Sequence, residues 1–413
     1  MAVTGIKKIV DSGKDFTVKN FADFTAFSKS VFSKERGVDF ALGYNVKGKL
    51  LKSGVRATRI FSVLGALYVF GTDGELYVQK DGTFNKLKIP CFSVAPQIYP
   101  LTYDGKQSAL IVSDGINYVV NDTVNYVGVP KCEHFLEYKN SLFFGYKRKI
   151  FVCQNKDYSG INTDFEKYIT LSVPAKLGTV KRFIPFKNNL LAVCSRGFAE
   201  IKVTDDDLGF SFTPIDVDSV KIDDGSAVKI GNGVIFISGG TLCEYSNGSV
   251  REIPSQLDKN YFMQISPSAV KDDFYLACGV YCDGELGLYV YDRKRGTDTF
   301  IDFNGKILAE DGTIIDKDGN ILELCVQGNA DCEWQSISTD FDVADKKTVY
   351  QVYVNCSGNC EFTLTGDNKN RTFNLKAGGN TLNVNMYANR FSFNVRGNKS
   401  AFPVSAIKLK YGI

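Results

Sequence analysis

Histidine is nearly missing from this sequence: one residue, His134, stands among 413, beside one Trp and three Met. A single imidazole leaves most general acid–base and nucleophile-activating schemes without their usual proton carrier. No run approaches the ~20 apolar residues that a membrane-spanning helix needs. The opening MAVTGIKKIVDSGKDF holds lysines but no apolar stretch, so a secretory leader is not expected. A complete phosphate-cradling loop of the GxxxxGK[ST] type is also absent, since Gly43–Lys49 has the glycine and lysine spacing but is followed by Leu50. Charge of either sign is in balance, with 49 Lys and Arg against 46 Asp and Glu. The net +3 gives no overall field directed at nucleic acid or membrane, although a local basic face stays open.

Aromatic residues and glycine are plentiful: 31 Phe, 21 Tyr and 38 Gly. Phe and Tyr favour pleated, half-buried surfaces, which points to strands. Eleven Cys, an odd number, suggest a reducing compartment where thiols pack as small apolar groups. The pairs Cys278-x3-Cys282 and Cys356-x3-Cys360 fall in different predicted regions. Packing is expected of them ahead of zinc or a disulfide, and no metal or cofactor is predicted.

The stretch RIFSVLGALYVFGTDGELYVQKDG, from Arg59 to Gly82, sets two β-rich runs around a Gly-containing turn. The pattern recurs at Ser108–Val120, Ser141–Cys153, Asn189–Val203, Gly233–Tyr245 and Phe274–Tyr291, with a weaker copy at Lys306–Leu324. Each is a hairpin by the usual test. Their starts lie roughly 30 to 50 residues apart, the period of a four-stranded propeller blade. The expected fold is therefore all-β, with a β-propeller of about six or seven blades over residues 55–326. Packed sandwiches or one large barrel would carry the same alternation.

Residues 1–54 are expected to form an N-terminal arm, in which the spacing of Phe21, Phe24, Phe27, Val31 and Phe32 predicts a short helix within Phe21–Glu35. Residues 327–413 alternate strictly, as in Val349-Gln351-Tyr353 against Tyr350-Val352-Val354, with turns at Gly358, Gly366, Gly378-Gly379 and Gly397. This predicts a C-terminal antiparallel β-sandwich of about seven strands.

Candidate chemistry is sparse. Cys132 shares a strand face with His134, which permits a dyad or ligand pair, but no third partner supports one and a structural role is expected. Acidic clusters at Asp205–Asp207 and Asp311–Glu323 read as hairpin turns, the second lacking the spacing of a calcium loop. Two basic hairpin tips, Lys147-Arg148-Lys149 and Arg293-Lys294-Arg295, are candidate contacts for DNA phosphates or a partner. The simpler reading of both is solvated charge. No catalytic residue is predicted.

Two segments resemble a known group. RATRIFSVLGALYVFGTDGELYVQKDGTF resembles the first blade of propeller proteins at bacteriophage tails, the packaged-DNA stabilisation, tail-hub or nozzle proteins, where an arm leads into a stretch like Gly37–Gly54. GLYVYDRKRGTDTFID (Gly287–Asp302) is followed by Glu333–Asn355, which is similar to the strand that opens the C-terminal sandwich of such virion proteins. Trp334, Asp340-Phe341, Lys346-Lys347 and Val349–Val354 hold the matching places. The resemblance brings no catalytic signature. It implies a non-enzymatic virion protein, assembled in the host cytoplasm as a homo-oligomeric ring on the tail axis. Such a ring would attach to a portal or adaptor, extend the conduit for double-stranded DNA and stabilise the packaged genome. The alternative is a glycan-binding or glycan-cleaving propeller with a carbohydrate-binding-like sandwich, which the scarcity of Trp disfavours.

Overall fold

Short runs of Val, Ile, Leu, Phe and Tyr, joined by tight turns, account for most of the chain. In a computed structural model, residues 14–413 are described except for 20–24, 30, 35–36, 41–42, 50–54, 81–82, 104, 114–115, 121–122, 140, 155–167, 204–209, 216, 218–219, 256–262, 265–266, 282–284, 303–304, 317–318 and 326–330. Two-residue turns such as Leu64-Gly65 and Asn247-Gly248 take left-handed backbone at both positions, the geometry that matches the twist of the paired strands.

The strands form a ring of seven blades among the described residues. Blade 1 runs through Ala57–Val63, Ala66–Gly71, Leu76–Lys80 and Thr83–Lys86. Blade 2 spans Gln97–Tyr103 to Val124–Tyr126, blade 3 His134–Tyr138 to Tyr168–Ser172, blade 4 Val180–Phe186 to Phe210–Ile215, and blade 5 Val228–Ile230 to Ser249–Glu252. Blade 6 contains Ala269–Lys271, Phe274–Tyr281, Glu285–Asp292 and Thr297–Asp302. Each recurrent hairpin of the sequence lies at the centre of one blade. The weak seventh copy is a blade too, and it completes the ring in an unexpected way. Its own strands, Gly305–Leu308, Ile314–Asp316 and Asn320–Cys325, are joined by Gly43–Lys49 from the start of the chain, antiparallel to Asn320–Cys325.

That borrowed strand matters because the chain goes on from it into blade 1, so the ring is closed by strand pairing inside blade 7. Here the seam between blades 7 and 1 is filled by Ile60, Leu67 and Val69 against Ala309, Ile315 and Ile321. The other six seams hold comparable apolar clusters. Burying a Val, Leu or Ile side chain contributes roughly 1.5–3 kcal/mol, so each seam is a substantial contact.

The C-terminal strands pack as two sheets. One orders Gly378–Ala388, Lys347–Cys356 and Val404–Gly412, then adds Gly37–Phe40 and Val31–Lys34, while Lys14–Thr17 also pairs with Val404–Gly412. The other orders Lys369–Leu375, Cys360–Gly366, Phe391–Asn398, Asp331–Ser336 and Thr25–Lys29. Trp334, Phe362, Phe391 and Phe393, all fully buried, fill the space between them. Thr25–Lys29 then meets the outer strand of blade 6, parallel to it at Lys29 and Phe300, so one sheet of ten strands runs from propeller into sandwich.

The helix expected within Phe21–Glu35 is corrected: the described part of that segment is the two strands Thr25–Lys29 and Val31–Lys34. Within the expected N-terminal arm, residues 1–54, the described strands pair with the sandwich, the join and blade 7. Aromatic and β-branched side chains suit strands when a sheet edge is there to receive them. Among the described residues no helix is long and apolar enough to cross a membrane.

Candidate functional site

The two basic tips meet different fates. Arg293-Lys294-Arg295 sits where blade 6 turns after Glu285–Asp292, and two of its cations are occupied. Arg295 donates to the buried Asp292 carboxylate at 2.6 Å. Arg293 donates at 3.4 Å to Glu244 of blade 5, a nearly buried carboxylate that also takes Arg251. These arginines compensate buried negative charge between two blades, which is structural work. Only Lys294 of this tip has no ion-pair partner among the described residues.

Lys147-Arg148-Lys149 is free by comparison. All three side chains are exposed, and no carboxylate among the described residues pairs with them. The turn itself is held firmly. Lys147 takes left-handed backbone, its carbonyl accepts the Val180 N–H at 2.8 Å, and the Arg148 carbonyl accepts the Val173 N–H at 2.9 Å. Both contacts tie the turn to the link between blades 3 and 4, so the cations project from a fixed base.

Beside the tip lies a cavity of about 810 Å³, lined by the three tip residues together with Val129, Pro130, Lys131, Tyr146, Phe151, Tyr168 and Thr179. The ammonium groups of Lys131 and Lys147 each stand 5.4 Å from the centre of the Tyr146 ring. Tyr168, 40% exposed, meets Phe151 edge-on at 5.1 Å. Cation and aromatic ring thus alternate along one concave surface.

A second cluster, which the sequence did not signal, occupies the propeller axis. The innermost strands of blades 1 to 4 each contribute polar groups: Arg59, Gln97 with Tyr99, His134, and Lys181 with Arg182. Turned so that its oxygen faces Arg59, the Gln97 amide accepts from that guanidinium at 2.8 and 3.2 Å. Tyr99 donates to the Glu133 carbonyl at 2.7 Å. Arg182 donates to Glu310 of blade 7 at 2.8 Å and to the Ala227 carbonyl of blade 5 at 3.1 Å. Blades 4 and 7 are not neighbours, so the Arg182–Glu310 pair crosses the central space. Lys181 pairs with Asp224 at 2.5 Å.

His134 faces this cluster and is half-buried. Burial, with the Lys181 and Arg182 cations beside it, pulls it down to about 4, so the imidazole is neutral near pH 7. Cys132 does not join it as a dyad. It precedes the strand and is buried in the seam between blades 2 and 3, where burial raises its thiol to about 12.

The remaining candidates have structural places. Asp311 and Asp316 cap the turns of blade 7 by accepting the Thr313 and Asn320 N–H groups at 2.9 and 2.8 Å. Cys278 is buried between blades 6 and 7, and Cys356 and Cys360 are buried, free thiols of the sandwich core. Among the described residues no three His, Cys, Asp or Glu side chains gather closely enough to hold a metal. Asp205–Asp207 and Cys282 lie outside the described residues.

No protein-family model matches the chain, and no curated protein matches it. Among solved structures it is similar to Raptor of Chaetomium thermophilum, at 10% identity and a TM-score of 0.48 over 68% of this chain and 29% of that one. It is similar to a protein described as the extracellular domain of a one component system from B. thetaiotaomicron, at 11% identity and a TM-score of 0.47 over 91% and 60%. The Cps50 (Swd1) β-propeller domain of Myceliophteria thermophila matches at 10% identity and a TM-score of 0.45 over 68% and 99%. The chain thus spans less than a third of the Raptor chain and less than two thirds of the one component system domain. The fold is a seven-bladed β-propeller with a β-sandwich built onto its sixth blade.

Proposed function

We propose that the chain is a structural subunit of a bacteriophage tail: a nozzle, hub or head–tail connector component that assembles with copies of itself into a ring. The observation that carries this reading is the sheet that passes from blade 6 through Thr25–Lys29 into the sandwich. Thr25–Lys29 pairs along its length with Asp331–Ser336 and meets blade 6 at Lys29 and Phe300, so in this reading propeller and sandwich move as one wedge. Identical rigid wedges can close a symmetric ring. The axial polar groups are engaged with one another, and the Arg182–Glu310 pair spans the propeller's own axis. Double-stranded DNA would therefore pass between copies and not through one propeller. Lys147, Arg148, Lys149 and Lys294 offer unpaired charge for a sequence-independent contact with it or with a portal or adaptor ring.

The test is negative-stain imaging of the purified protein alone and mixed with a tail portal ring. Closed rings, alone or seated on the portal, are the expected particles. Single propellers that ignore the portal at micromolar concentration, or release of reducing sugar from a host polysaccharide, would contradict the reading.

A further inference from the structure

We propose that the cavity beside the blade 3 tip binds a nucleotide unit, either free or within a single strand. Its volume, about 810 Å³, lies within the range of small-molecule sites and is far too small to admit a duplex. Both faces of chemistry that a nucleotide needs are present. Lys147, Arg148 and Lys149 supply charge for phosphate, on a turn fixed by backbone hydrogen bonds to Val173 and Val180. Tyr168 supplies the platform for a base. Tyr146 already has two ammonium groups beside its ring, whereas Tyr168 is 40% exposed and is braced edge-on by Phe151. Stacking on such a ring tolerates any base.

An acidic saccharide would satisfy the cations equally well. Its hydroxyl groups, however, call for carboxylate or amide acceptors, and the described lining consists of cations, apolar and aromatic side chains and the Thr179 hydroxyl. Only the cavity and its lining carry this assignment, so the tail reading can fail while nucleotide binding stands.

The test is fluorescence anisotropy with the full chain, using a labelled single-stranded dT8, with ATP, the matching duplex and heparin as competitors. The expected result is binding of dT8 that ATP or unlabelled dT8 displaces, the duplex competing more weakly. Effective competition by ATP marks a free-nucleotide site, and competition by dT8 alone marks a strand site. Tyr168→Ala should weaken dT8 binding about five- to 150-fold. Replacing Arg148 and Lys149 together by Gln should make the logarithmic salt slope shallower by about 1.4, from ~0.7 per lost phosphate contact. Lys294→Gln should change neither. No binding of dT8 or ATP, an affinity indifferent to Tyr168→Ala, tighter binding of the duplex, or displacement by heparin at lower concentration than by dT8 would each overturn the proposal. Should the Tyr168 variant lose its fold, the exposed Gln pair decides, an unchanged salt slope overturning it.

Discussion

Lys347→Met is expected to lower stability by about 2–6 kcal/mol, from ~1–3 kcal/mol for each of the Val343 and Asn389 carbonyls that loses this donor, the Asp340 carbonyl keeping the Val343 N–H. Lys347 is fully buried in the sandwich. Its ammonium donates to the carbonyls of Asp340 and Val343 at 2.7 Å and of Asn389 at 2.8 Å, and it lies 5.7 Å from the centre of the Phe341 ring. The three acceptors belong to the bend at 340–343 and to the turn after Gly378–Ala388, which the ammonium pins together. Methionine fills much the same volume but donates nothing, so the loss isolates the hydrogen bonds from packing. A protein stable by about 5–15 kcal/mol can lose much of its margin this way. Trp334, the only tryptophan, is fully buried in the same core, so its fluorescence reports this unit directly. The urea midpoint of that signal should fall sharply in the variant. A shift worth less than ~1 kcal/mol would show that the carbonyls find water instead.

Gly287→Ala should cost about 3 kcal/mol, at the upper end of overpacking effects. A Cβ at Gly287 would stand 1.9 Å from Cζ of Phe300 and 2.5 Å from both Cε atoms. The Phe300 ring is nearly fully buried in the seam between blades 5 and 6, so it has no room to retreat. It also lies on the strand that carries the sheet onward to Thr25–Lys29, so strain there reaches the join. Phe300→Ala alone should cost about 3–5 kcal/mol through the cavity it opens. The double variant should lose less than the sum, because each change relieves the other, with a coupling of ~1 kcal/mol or more. Thermal melts by circular dichroism of the four proteins close this cycle. Strict additivity would contradict the close approach.

The blades were legible because their signal is local. Runs such as Leu67–Phe70 and Val234–Ile237 are apolar on both faces, as strands stacked between sheets must be, and Gly-containing turns mark their ends. The sandwich was legible for the opposite reason: strands such as Cys360–Gly366 and Phe391–Asn398 have one solvated face and alternate cleanly.

The N-terminal strands were hidden because their partners are remote. Gly43–Lys49 pairs with Asn320–Cys325, nearly the whole propeller away, and nothing near residue 43 announces that edge. Thr25–Lys29 and Val31–Lys34 belong to different sheets, so alternation restarts between them and the Phe spacing mimics a helix. The same limit holds for the site. Both basic tips were visible, but which one is free depends on Glu244, a carboxylate 49 residues before Arg293. The axial cluster draws one or two residues from each of several inner strands, a pattern no sequence window spans.

The central claim is that the start of the chain closes the propeller as the outer strand of blade 7, fixing one rigid body for assembly. Native-state hydrogen exchange on Gly43–Lys49 tests it most directly. Slow exchange, at rates near those of Asn320–Cys325, is the predicted result, whereas exchange at the rate of an unpaired coil would contradict ring closure and with it the rigid wedge.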